Sequence, residues 1–135
     1  MVRNKLNKKI LPKGCVLIVD DEHATHISNL VERLGYFAIP YSSGLEILNE
    51  LKETDGLEYD LALVDLSLFG MDGNEVIGAL KDKYPTRPVI VISSYGEVKP
   101  SRADGIFTKP FVSDQKKKLF ENLLASYIIK NLNYT

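Results

Sequence analysis

The chain has 135 residues, 44% hydrophobic and 26% charged, with a formal net charge of -1. That length suits one domain with a buried core, and that balance suits a globular fold rather than a disordered or fibrous one. No run approaches the roughly 18 apolar residues that span a bilayer, and the single cysteine, Cys15, excludes an internal disulfide.

The charge is uneven along the chain. Residues 1–13 hold Arg3, Lys5, Lys8, Lys9 and Lys13 and no acid, leaving 12 basic and 18 acidic residues on the remainder. Such an arm can touch nucleic acid or anionic lipid. It carries no aromatic side chain, so the expectation is a solvated arm over 1–13, a domain over 14–132, and no direct nucleic-acid or membrane binding. The arm also lacks the apolar segment of a secretory signal, and cytoplasm is the expected compartment.

After the arm come short apolar runs separated by helical periodicity. Val16-Leu17-Ile18-Val19, Leu61-Ala62-Leu63-Val64 and Val89-Ile90-Val91-Ile92 are continuous, as in strands buried on both faces of a parallel sheet. Phe37-Ala38-Ile39 and Ile106-Phe107 are weaker candidates. Between the first two strands, Ile27, Leu30, Val31 and Leu34 recur at helical spacing and Gly35 stops the run. Ser43 and Glu46 have capping-box spacing ahead of Leu48 and Leu51, and Asp72 and Glu75 repeat it ahead of Val76, Ile77 and Leu80. Ser113 can cap a last helix whose stripe is Leu119, Phe120, Leu123, Leu124, Tyr127 and Ile128, ending near Leu132. Alternating strands and helices predict an α/β fold: a parallel sheet with helices on both faces.

In such a sheet the carboxyl ends of the strands share one edge, where ligands bind. Asp20 and Asp21 follow the first run, Asp65 the third, Ser93 and Ser94 the fourth, and Lys109 the fifth. Three neighbouring carboxylates repel each other, and a hard divalent cation with oxygen ligands relieves that. Lys109 adds a point charge suited to phosphate. A carboxylate nucleophile, a metal, a lysine and a hydroxyl together fit phosphoryl transfer onto an aspartate; a structural salt bridge to Lys109 is the plainer alternative. His23 and His26 could pair on a metal through a helix, although a polar helix face accounts for them too. Lys116, Lys117 and Lys118 read as a solvated face or a docking patch.

These residues resemble the receiver domain of two-component response regulators. VLIVDDE (16–22) resembles its first strand, GYFAIPYSSGLEIL (35–48) its second strand and helix, and LALVDLSL (61–68) its phosphoacceptor strand. GMDG (70–73), VIVISSYGE (89–97) and FTKPF (107–111) resemble the turn before the third helix, the fourth strand and the Lys-Pro pair. The resemblance covers about residues 14–130. It implies a flavodoxin-like, five-stranded sheet in the order 2-1-3-4-5.

It also implies roles. Asp65 would accept the phosphoryl group. Asp20, Asp21, Asp65 and the Ser67 backbone carbonyl would hold Mg²⁺. Ser93 and Lys109 would bind phosphoryl oxygens, and Ser67 and Tyr95 would tune the lifetime of the product. The donor would be a histidine kinase or histidine phosphotransfer protein, and signalling would pass by contact with a downstream protein. Slow self-dephosphorylation would be the extent of enzymatic activity, and no output domain is expected in this chain.

Three features depart from the family pattern. Ile106 stands where a switch aromatic is usual, with Phe107 expected on the opposite face of the strand. Phe69 stands where proline is usual four residues after the acceptor. Residues 94–104 number 11 and include Pro100, so a short or degenerate fourth helix is expected. The rival reading is a receiver fold used as a constitutive protein-binding module. Aspartyl-phosphate hydrolases would have an acid at Ser67, and a nucleotide- or flavin-binding domain would not put Asp20-Asp21-Glu22 in its first loop.

Overall fold

The computed structural model describes residues 13–94, 102–109 and 113–132, with the side chains of 129–132 excepted. Seven strands and four helices follow one another among them: β1 (Cys15–Val19), α1 (Ala24–Arg33), β2 (Phe37–Tyr41), α2 (Gly44–Glu53), β3 (Leu61–Asp65), β4 (Ser67–Leu68), β5 (Met71–Asp72), α3 (Gly73–Lys83), β6 (Val89–Ser93), β7 (Gly105–Thr108) and α4 (Asp114–Leu132). The main sheet is parallel throughout, in the order β2-β1-β3-β6-β7. Counted along the chain within that sheet, this is the 2-1-3-4-5 order of the flavodoxin-like fold. β4 and β5 form a separate antiparallel pair in the loop after β3.

The continuous apolar runs follow from a sheet covered on both sides. Val16, Ile18, Leu61, Leu63, Ile90 and Ile92 meet Ile27, Leu30 and Val31 of α1 and Phe120, Leu124 and Ile128 of α4. The alternate residues, Leu17, Val19, Ala62, Val64, Val89 and Val91, meet Ile47 and Leu51 of α2 and Val76, Ile77 and Leu80 of α3. Successive strand side chains point to opposite faces, so a strand covered twice has no polar position to spare. Pro40, which cannot donate to a ladder, sits on edge strand β2 with its side chain exposed.

Capping follows local chemistry. Ser43 accepts from the amide of Glu46 at 3.1 Å, and Ser113 from that of Lys116 at 3.1 Å. Asp72 caps α3 through the amide of Asn74 at 2.9 Å rather than through that of Glu75. Phe107 is buried and packs edge-on to Phe120 at 5.2 Å, while Ile106 is exposed on the other face of β7. Ser94 and residues 102–104 lie outside any helix, and the stretch 95–101, on which the expected degenerate fourth helix falls, lies outside the described residues. So do residues 1–12 of the basic arm.

The short connection into β7 is tied to its neighbours. Arg102 pairs with Asp82 at 2.7 Å, and Asp104 with Lys81 at 3.0 Å. The Asp104 carbonyl accepts from the hydroxyl of Tyr127 at 2.8 Å, which joins this connection to α4. No helix among the described residues is long and apolar enough to cross a membrane.

Candidate functional site

The sheet register puts the candidate residues on one edge. Val19 pairs with Val64, Asp65 with Ile92, and Ser93 with Thr108, so Asp20, Asp65, Ser93 and Lys109 lie side by side at the strand ends. Backbone bonds extend the ladder past each end. The Asp20 amide donates to the Tyr41 carbonyl, that of Leu66 to Ile92 and that of Lys109 to Ser93, at 3.1, 3.2 and 2.7 Å. The functional side chains therefore project from rigid backbone.

Asp20, Asp21 and Asp65 each offer a carboxylate oxygen, all within 4.8 Å of one another. Lys109 reaches into the group, its Nζ donating to Asp20 Oδ2 at 2.7 Å and to Asp65 Oδ2 at 3.3 Å. Asp20 Oδ1 accepts the amides of Glu22 and His23 at 3.0 and 2.9 Å, and so closes the turn into α1. Asp65 Oδ1 accepts the amide of Ser67 at 3.0 Å. Asp21 is half-buried, and its Oδ2 accepts the amide of Phe69 at 2.5 Å.

The two buried acids are pushed in opposite directions. Burial raises the Asp20 carboxyl, but the Lys109 hydrogen bond and the amides of His23 and Glu22 outweigh it and leave the group below its ordinary value. Burial also raises Asp65, and there it wins: the Ser67 amide and Lys109 oppose it, while the charge on Asp20 adds to it. Asp65 is thus a buried carboxylate in an incompletely compensated position, the kind of group that gains from a cation. Among the described residues, three acids with hard oxygen donors against the Lys109 ammonium make a donor set that fits Mg²⁺.

Ser93 ends β6 with its side chain buried beside this group. Ser67 is exposed in β4, opposite Asp72, and Phe69 at the tip of the β4–β5 turn is 90% exposed. Tyr95, expected to tune the site, and Pro110 lie outside the described residues. His23 and His26 are not among the three clustered acid ligands; His26 is exposed, while His23 places Nδ1 3.1 Å from Lys109 Nζ and 3.7 Å from Asp20 Oδ1. Of the three lysines opening α4, Lys116 sits 4.7 Å over the Phe107 ring instead of lying free in solvent.

Two contacts were not legible in the sequence. His23 stood out only as a possible metal ligand, and its contact with Lys109 joins residues 86 apart. Gly73 stood out only as part of a turn motif. A Cβ there would lie 2.4 Å from the Asp65 carbonyl oxygen and 2.8 Å from Leu66 Cα, so only glycine lets α3 start this close to the end of β3.

Residues 16–121 match the family model of the response regulator receiver domain. Sporulation initiation phosphotransferase F of Bacillus subtilis is 31% identical over 108 residues, which is 74% of this chain and 85% of that protein. The transcriptional regulatory protein ZraR of Klebsiella oxytoca is 32% identical over 62% of this chain, which spans only 18% of ZraR's length. The DNA-binding regulator NtrC of Proteus hauseri is 26% identical over 87% of this chain, which spans 26% of its length.

Among solved structures, the response regulator TrrA of Thermotoga maritima in complex with Mg²⁺-BeF is 25% identical. It aligns at a TM-score of 0.67 over 81% of this chain and 97% of its own. A CheY-like receiver of Methanospirillum hungatei, 24% identical, shares the fold at a TM-score of 0.72 over 90% of this chain and 98% of its own.

Proposed function

We propose, for a chain that belongs to the response regulator receiver domain family of two-component signalling, that Asp65 accepts a phosphoryl group from a phosphohistidine donor in a Mg²⁺-dependent reaction. The observation that carries the reading is the meeting of Asp20, Asp21 and Asp65 within 4.8 Å, with the Lys109 ammonium bridging Asp20 and Asp65. Asp20, Asp21, Asp65 and the Ser67 carbonyl would hold the ion. When bound, Mg²⁺ supplies positive charge to the carboxylates and to the incoming phosphoryl oxygens.

The residues of the chain account for the transfer itself. An oxygen of Asp65 attacks phosphorus, the P–N bond of the donor histidine breaks, and the departing imidazole recovers its electron pair and takes up a proton. The products are an aspartyl phosphate and free histidine. Asp65 is oriented for this by the Ser67 amide. Burial and the Asp20 charge keep it poorly stabilised as a free carboxylate, a ground state that transfer relieves. Lys109, within reach of Asp65, pairs with one phosphoryl oxygen, and the Ser93 hydroxyl donates to another.

The donor is a histidine kinase or a histidine phosphotransfer protein, and output passes to a downstream protein by contact. The aspartyl phosphate adds a dianion to the strand edge and biases the surrounding loops. Incubation with a small acyl phosphate and Mg²⁺ is expected to add one phosphoryl group by intact mass. The Asp65→Asn chain is expected to take none, and excess chelator to stop labelling. Equal labelling of Asp65→Asn would remove the assignment, and no labelling of the native chain would favour the constitutive binding module instead.

A further inference from the structure

We propose that His23 is a positioning residue for Lys109: its Nδ1 serves as the third acceptor of the ammonium and holds that cation between the two buried carboxylates. The proposal deepens the reading above and rests on it.

An ammonium has three N–H donors and no acceptor. Lys109 Nζ finds Asp20 Oδ2 at 2.7 Å, His23 Nδ1 at 3.1 Å and Asp65 Oδ2 at 3.3 Å. All three protons have a partner, and the lysine is only 9% exposed, so little of it is left to water. Lysine carries a long flexible stem and makes no planar fork, so its head is located by its partners rather than by its own shape. Two carboxylates alone leave one donor unsatisfied and define a line, along which the head can swing. A third acceptor off that line defines a point.

The imidazole is itself held in place. An ammonium only donates, so toward Lys109 the Nδ1 atom acts as an acceptor. Glu22 Oε2 lies 4.0 Å from Nε2. The backbone amide of His23 is bonded to Asp20 Oδ1, which fixes the Cα from which the ring projects. The side chain makes no capping bond to α1, so its removal leaves the helix start intact.

The consequence falls on the moment of transfer. Once Asp65 carries a phosphoryl group, Lys109 must shift its bond from the carboxylate to a phosphoryl oxygen while staying paired with Asp20. An acceptor that stays put keeps the ammonium aimed during that exchange. His23 touches no reacting atom in this scheme and acts through Lys109 alone.

The test uses the full chain with His23→Ala and His23→Asn, the amide oxygen of asparagine standing close to where Nδ1 was. With a small acyl phosphate as donor, His23→Ala is expected to lower the maximal phosphorylation rate constant by about tenfold or more, the worth of one hydrogen bond to a charged group. The half-saturating donor and Mg²⁺ concentrations are expected to stay put, and His23→Asn to return the rate to within about twofold of native by the same bond. Independently of any transfer, the ¹⁵N–¹H resonance of the Lys109 ammonium is expected to be sharp in the native chain, exchange-broadened in His23→Ala and sharp again in His23→Asn. A native-like rate and resonance in His23→Ala overturn the proposal, and so does an Asn variant that behaves like Ala. If the native chain takes no phosphoryl group the functional reading fails, and the ammonium resonance still decides whether His23 positions Lys109.

Discussion

Lys109 Nζ lies closer to Asp20 Oδ2 than to Asp65 Oδ2, 2.7 against 3.3 Å, so its ammonium is shared unequally between two buried acids. Asp20 is held below its ordinary ionisation range by that bond, after burial has pushed it the other way, while burial and Asp20's own charge leave Asp65 above it. Removing the cation exposes both. Lys109→Ala is expected to cost about 3–5 kcal/mol of stability, as for a buried ion pair stripped of one partner. Added Mg²⁺ is expected to recover part of that loss, because a ligand that binds only the folded chain stabilises it. Urea melts of the variant with and without Mg²⁺ measure both; a variant as stable as the native chain refutes the buried-pair account.

Asp21 is the least buried of the three acids and is bound to a loop amide rather than to the lysine. It is the carboxylate freest to turn toward an ion. Asp21→Ala is expected to weaken Mg²⁺ binding by about tenfold or more, read from the Mg²⁺ dependence of backbone amide shifts. In the native chain the Phe69 amide is expected to move during that titration, and in the variant to be displaced before any Mg²⁺ is added.

Gly73 begins α3 against the backbone of Asp65 and Leu66. A methyl group there meets main chain, which cannot turn aside as a side chain can. Gly73→Ala is expected to destabilise the fold by about 1–3 kcal/mol, the usual cost of overpacking, and to slow phosphorylation because the Asp65–Leu66 peptide must move. A variant with native stability and rate would show that α3 can retreat without disturbing the acid.

Tyr59 supplies a pH dependence remote from the site. Its hydroxyl is buried with no hydrogen-bond partner among the described residues. Burial pushes the phenol from 10.0 up to about 12, despite the Arg87 guanidinium 4.8 Å over its ring. The folded chain therefore keeps a proton that the unfolded chain has begun to lose above pH 10. Stability present below that pH falls as pH climbs from about 10 to about 12, by a few kcal/mol in all, on the order of 1.4 per unit. Tyr59→Phe is expected to be about as stable as the native chain or more so at neutral pH, since the hydroxyl makes no well-formed hydrogen bond among the described residues. It is also expected to flatten the alkaline limb of a urea-melt series, and an unchanged limb would place the titration elsewhere.

The order of elements and the sheet edge that gathers the acids were legible along the chain. Val16–Val19, Leu61–Val64 and Val89–Ile92 are apolar at every position, and only strands covered on both faces demand that. Asp20 and Asp65 each follow such a run directly and Lys109 follows the weaker strand that holds Ile106 and Phe107, so parallel strands had to bring them to one edge. Ser43, Asp72 and Ser113 announced three helix starts because caps act over three or four residues.

What the tertiary structure decided is how the charges are apportioned. That Asp20 rather than Asp65 takes the shorter bond to Lys109, that Asp21 holds the Phe69 amide, and that His23 meets Lys109 are contacts between segments 44 to 89 residues apart. The Gly73 approach depends equally on where α3 docks. Local propensity and periodicity act within a few residues and place elements, whereas the ionisation of a buried carboxylate depends on which distant groups share its cavity and how far water is kept away.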